Sequence, residues 1–447
     1  MTSTATPATA ASLQQLAPDI TPKVKEGDLK TAQTGLLVAG VVLTALGYFL
    51  GHHAVSYLVG YMGVIGICLG ALFFTMIQHI TRAGWSVSVR RVTENIAGTL
   101  PFMLVLFIPI VVGFDEIYHH WTADTVNITD KDAANYDAVL AGKSGFLNST
   151  FFFVRVAIYF AIWIGLALYF RGQSIKQDET GDPALSMRMS QVAAPGLLLF
   201  ALSLTFASFD WVMSIDPHWF STIFGVAFFA GAVMASLGFT IVLIMWLQKK
   251  GYYTTAITKE HFHDLGKLMW AFMLFWTYTN FSQYMLIWYA NLPEETAWYD
   301  LRTHGGWGAV GPILIVGHFL FPFVFLMSRN MKRHRVALPA GAIFLMVIHC
   351  IDMQYLILPS ALSGHEHGDH GGDGGVIGAA AETAGEHADG FGAQLGQYFS
   401  TIEFGDFGCF FGLLFVVAGL TIMNVRRTNL IPLRDPRLRE SLNFHNF

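Results

Sequence analysis

Residues 206–225 read F-A-S-F-D-W-V-M-S-I-D-P-H-W-F-S-T-I-F-G. An apolar run carries Asp210 near its end, Asp216-Pro217-His218-Trp219 makes a turn, and Ser221 opens a second apolar run. A carboxylate inside a membrane helix costs about 2.5–3.5 kcal/mol on insertion scales, so it normally faces a bundle interior or a wet cavity. The stretch therefore predicts two membrane helices joined by a tight turn, with an ionisable group held between helices.

The rest of the chain agrees with that reading. Of 447 residues, 53% are hydrophobic and 13% charged, against about 25% charged in an ordinary soluble domain. Mean hydropathy is +0.48. At about 20 apolar residues per crossing, ten spans are expected: 32–50, 54–78, 97–114, 148–170, 192–214, 221–247, 266–290, 308–328, 337–358 and 404–424. Tyr57, Trp85, Trp121, Trp219, Trp298 and Trp307 fall near span ends, as interfacial aromatics do. The fold class predicted is an all-α polytopic membrane protein, with two four-helix bundles (spans 2–5 and 6–9) and two flanking helices. The domain plan is an N-terminal tail (1–31), spans 1–9 (32–358), an acidic His/Gly-rich loop (359–403), span 10 (404–424) and a basic C-terminal tail (425–447).

Lys and Arg set the orientation. Twenty-two of the 26 fall in the two tails and the even-numbered loops, Arg90, Arg91, Lys267 and Arg329 among them. The other side holds Lys131, Lys143 and Arg302, and Arg155 lies within span 4. The positive-inside rule then puts both termini in the cytoplasm. The first apolar run is read as a retained helix, not a cleaved signal.

Cys68, Cys350 and Cys409 are far apart in sequence, and neither C-x-x-C nor C-x-x-C-H occurs. No local thiolate cluster or c-type haem attachment site is expected. In the 359–403 loop, His365, His367, His370 and His387 read either as transition-metal ligands or as part of a flexible surface loop. Spans 3 and 5 end alike, in G-F-D-E-I-Y-H-H-W (113–121) and S-F-D-W-V-M-S-I-D-P-H-W (208–219), a weak sign of internal duplication.

At 1.5 Å of rise per residue, the costly side chains collect in the outer half. Asp210 is near the outer end of span 5, Arg155 in the outer third of span 4, and His318 near the middle of span 8. His349 and Asp352, three residues apart, share a face of span 9. Tyr278, Gln283 and Tyr284 lie on span 7, and Asp115 and Glu116 at the outer end of span 3. Such a set suits a proton path or hydrogen bonds to a quinone, because His titrates near neutrality and a buried carboxyl can accept a proton there. The competing reading is structural: Arg155 pairing bidentately with Asp210, a hydrogen-bonded core His318, and interhelical bonds from Tyr278, Gln283 and Tyr284.

Two stretches, 206–225 and F-W-T-Y-T-N-F-S-Q-Y-M-L-I-W-Y-A-N-L-P-E-E-T (275–296), resemble the F-subunit family of bacterial alternative complex III. That family lies within the polysulfide-reductase-type (NrfD-like) membrane subunits, and the resemblance covers nearly all of the ten-span core. It implies a bacterial inner-membrane complex that oxidises quinol and reduces cytochrome c or another acceptor. On that reading the partners are an iron–sulfur protein, c-type cytochromes and a related membrane subunit, and they carry the haem c and iron–sulfur clusters. The chain itself would hold no redox cofactor and would contribute a quinone-related site, a proton path, or both. Besides those subunits it would meet the lipid bilayer, and no nucleic acid. Two other readings of the residues stand beside this one. One is a standalone secondary transporter, opposed by the lack of an evident pair of broken helices. The other is a b-type cytochrome with His318 and His349 as axial ligands.

Overall fold

A computed structural model describes residues 23–122, 127–133, 135–363 and 390–445. The loop histidines His365, His367, His370 and His387 lie outside the described residues. The described chain is almost wholly helical, with one isolated β-bridge between Asn127 and Tyr136. Nine of its helices are long and apolar enough to cross a membrane. In chain order the long helices are α1 (Lys30–Phe49), α2 (His53–Ile80), α3 (Val87–Val112, interrupted), α4 (Ser149–Thr180), α5 (Pro183–Trp211), α6 (Phe224–Lys249), α7 (Lys259–Ala290), α8 (Gly305–Met327, interrupted), α9 (Ala337–Ser363) and α10 (Phe404–Arg427). The tenth in that count, α7, is not among the nine. At 32 residues it measures about 48 Å, and its second half is rich in Trp, Tyr, Thr, Asn and Gln.

The core is the contact between α2 and α6. Both are buried on nearly every face, as expected of helices that are apolar all round. Gly66 and Gly70 on α2 bring α6 close: a Cβ at Gly70 would stand 2.8 Å from the Ala232 carbonyl oxygen. Around this pair, α5 packs on α2 and α4, while α7 and α9 pack on α6. α1 has little other support than α10, and the two meet along a seam of small residues. A Cβ on Gly40 would lie 2.7 Å from the Gly412 carbonyl oxygen, and one on Gly47 would lie 2.6 Å from the Cys409 nitrogen. Lipid supplies no hydrophobic drive to press helices together, so this close backbone approach is what holds α1.

Several sequence expectations change. α3 begins at Val87, ten residues before the expected 97, because Arg90 and Arg91 are not loop cations. They are buried in the helix, where both pair with Glu94 (each at 3.1 Å), Arg90 with Asp435 (2.6 Å) and Arg91 with Asp178 (2.9 Å). α5 begins at Pro183, capped by Asp182, since Pro is well suited to the first helical position. Broken helices are present after all. α3 is divided at Thr99 and Leu106–Phe107, each break followed by a proline (Pro101, Pro109). α8 passes from a 3₁₀ turn to α to a π-turn at Ile315–Leu320 and back to α. Pro322 has no N–H for the carbonyl of His318, and the wider turn absorbs the mismatch.

Gly412→Val tests the seam. It is expected to lower the melting temperature in mild detergent and open α1 to protease, with about 1–3 kcal/mol of overpacking strain. Gly172→Ala, at a position with nothing within 4 Å of the added Cβ, should leave both unchanged.

Candidate functional site

Two buried polar clusters lie in the part of the bundle expected to be its outer half. The first joins α4 to α5. Asn148 caps α4 by accepting the Phe151 N–H at 2.9 Å, which sets Arg155 and Tyr159 one turn apart on a single face. Asp210 sits in the last turn of α5. Arg155 donates to it through Nε and Nη2, both at 2.8 Å, and Tyr159 Oη donates at 2.6 Å. The guanidinium also donates to the Phe146 carbonyl at 3.0 Å and lies 3.9 Å from the Phe146 ring centre and 4.3 Å from that of Phe151. The bidentate fork plus the phenol takes three of the carboxylate's roughly four acceptor sites. The segment carrying Phe146 is tied down in turn: His218 Nε2 bonds Asp137 at 2.7 Å, and Lys143 Nζ donates to the Pro217 carbonyl at 2.5 Å.

The two look-alike segments meet here as well. Tyr118 Oη donates to the Trp211 carbonyl at 3.1 Å, and Trp121 Nε1 to the Ser214 carbonyl at 3.1 Å. Their acids differ: Asp210 is buried and Asp115 exposed. Glu116 accepts the Ala54 N–H at 3.3 Å, satisfying a donor in the first turn of α2.

The second cluster is built by four helices. α9 contributes His349 and Asp352, α8 contributes His318 from its π-turn, α7 contributes Trp276, and α6 contributes Met234 and Gly231. Trp276 Nε1 donates to Asp352 Oδ2 at 3.0 Å. The His318 ring lies 3.7 Å from the Trp276 ring, centre to centre, with Nε2 3.3 Å from Met234 Sδ. His349 Nδ1 stands 3.9 Å from Asp352 Oδ2, too far for a hydrogen bond. Gly231 makes room for the imidazole: a Cβ there would lie 3.2 Å from His349 Cε1. All three ionisable groups are buried, yet no described residue bonds either nitrogen of His349 or Nδ1 of His318. A buried polar atom left unpaired costs about 1–3 kcal/mol, so these three nitrogens set the second cluster apart from the first, whose charged groups are all bonded.

Of the remaining candidates, Gln283 is buried between Ser221 (2.7 Å) and Tyr299 (2.9 Å). Tyr278 and Tyr284 are turned outward, 65% and 42% exposed, and join neither cluster.

Sequence reading also missed the burial of Arg302 and Asp406. Arg302, expected as an outer-loop cation, is buried with its guanidinium 3.4 Å from the Trp298 ring centre. It donates to the Tyr355 carbonyl at 3.0 Å, the acceptor that Pro359 leaves without its helical N–H. Burial pulls its pKa down to about 10. Asp406, at the start of α10, accepts Ser56 Oγ at 2.6 Å and the Glu403 N–H at 3.0 Å. The spacing Glu403-x-x-Asp406 was the available signal for a helix start. In comparisons with known proteins, no family model and no curated protein matches this chain.

The Arg155–Asp210 pair predicts strong non-additivity. Arg155→Met alone strands a buried carboxylate and should cost about 3–5 kcal/mol, whereas Arg155→Met with Asp210→Leu should recover most of that loss. Thermal unfolding of the set in detergent, read as a double-mutant cycle, checks it.

Proposed function

We propose that the chain is a membrane subunit of a quinol-oxidising electron-transfer complex of the alternative complex III type, in a bacterial inner membrane. The second cluster is its working site. On this reading α7 also crosses the membrane, giving ten spans with both termini in the cytoplasm. α2–α5 and α6–α9 form two bundles that meet at α2–α6, with α1 and α10 at the flank. Iron–sulfur and c-haem subunits and a related membrane subunit are the partners that carry the electrons.

The observation that supports this most is the set of orphaned imidazole nitrogens beside Asp352. A neutral imidazole offers one N–H and one acceptor. His349 or His318 can therefore donate to a quinone oxygen, or accept a proton released when a quinol gives up two electrons to partner clusters. Asp352, fixed by Trp276, is the next acceptor in line from His349. The same groups serve a proton path without bound quinone, and the site chemistry is common to both. Asp210 has the opposite character: three donors hold it, and its role is to lock α4 to α5.

A standalone transporter is the second reading, and the interruptions in α3 and α8 favour it, since transporters build sites from discontinuous helices. A bis-histidine haem fits less well. A macrocycle at His318 would have to displace Trp276 and Met234 from the ring they touch.

In the assembled complex, Asp352→Asn and His349→Ala are expected to cut quinol-driven acceptor reduction by about 10²-fold or more while subunit composition is retained. Full turnover with an unchanged pH profile in both variants would contradict the assignment. The transporter reading predicts substrate uptake by the chain alone in vesicles.

A further inference from the structure

The end of α8 expected on the cytoplasmic side carries a feature that the working site does not use. On α8, Val316, Leu320, Val324 and Met327 are all exposed and follow one another at intervals of four, four and three residues. They form an apolar stripe that starts in the π-turn and runs down to a basic turn, Ser328–Arg335. The cations of that turn divide into two sets. Lys332 is buried and donates to the carbonyls of Leu326 (2.7 Å) and Met327 (2.9 Å), closing the end of the helix. Arg333 is ion-paired with Glu260. Arg329 and Arg335 instead face outward and are exposed.

α7 packs directly against this turn, since a Cβ on Gly266 would lie 3.1 Å from Lys332 Cγ. The next residue, Lys267, is 48% exposed and paired with Asp264. Lys332 shares the short helix Arg329–Arg333 with Arg329, so the contact of Gly266 with Lys332 brings Lys267 and Arg329 into one small region. Against Lys267, Arg329, Lys332 and Arg333 stand two acids, Asp264 and Glu260, leaving an excess of positive charge where the apolar stripe ends.

We propose that this is a binding site for an anionic phospholipid, with the headgroup phosphate at Arg329 and Lys267 and an acyl chain along the stripe from Met327 to Val316. A bare anion would need the cations and not the stripe; the stripe and the charge together fit an amphiphile. The inference depends on the chain lying in a membrane and not on the quinol reading.

Native mass spectrometry of the full chain in mild detergent tests it, after exchange with phosphatidylcholine vesicles containing phosphatidylglycerol. Phosphatidylglycerol should be retained over phosphatidylcholine. Retention should fall about fivefold in Arg329→Gln and about thirtyfold in Arg329→Gln with Lys267→Gln. Arg329→Lys should retain it, and adding phosphatidylglycerol should raise the melting temperature of the unaltered chain more than that of the double variant. Equal retention of both lipids, or full retention by the double variant, would overturn the proposal. So would displacement by millimolar inorganic phosphate, which would mark a simple anion site, or an acidic protein covering Arg329 in place of lipid.

Discussion

A polar group inside a bilayer has no water to fall back on, and the buried charges of this bundle answer to that constraint. Arg155 and Asp210 answer it with each other, with Tyr159 as a third donor. Arg90, Arg91, Glu94, Asp178 and Asp435 answer it as a network that lets a charged turn lie inside α3. Arg302 answers it with backbone carbonyls, one of them freed by a proline. The helices are arranged so that these bonds can be made, and the glycine contacts of α1 with α10 and of α2 with α6 bring the backbones close enough.

The cluster of His318, His349 and Asp352 departs from that pattern. Its rings are as deeply buried as the paired charges, yet three nitrogens meet no described protein partner. The π-turn that positions His318 points the same way, since such turns gather at functional sites. Two carboxylates in apolar surroundings thus differ: Asp210 is held by three donors, and Asp352 by one indole.

The membrane class and most helices were legible in the sequence because apolar length is a local property. The Arg155–Asp210 pair was legible too, since two opposite charges in neighbouring apolar runs have few other ways to be buried. Partnership across distant segments was not. Nothing near Arg302 in sequence announces that it bonds a carbonyl in α9, and Arg90 and Arg91 look like ordinary loop cations until Asp178 and Asp435 are beside them. Tyr278 and Tyr284 show the reverse error: depth along α7 was readable, but the face they occupy depends on which neighbours cover the helix. Prolines marked the interruptions in α3 and α8, yet membrane helices tolerate proline so often that the breaks themselves were not evident.

The most direct test of the account is purification in mild detergent through a tag on this chain, with mass spectrometry and a reduced-minus-oxidised spectrum of the product. The account predicts co-purifying iron–sulfur and c-haem subunits and a c-type haem signal. A chain that purifies alone and colourless would contradict it and move the transporter reading to the front.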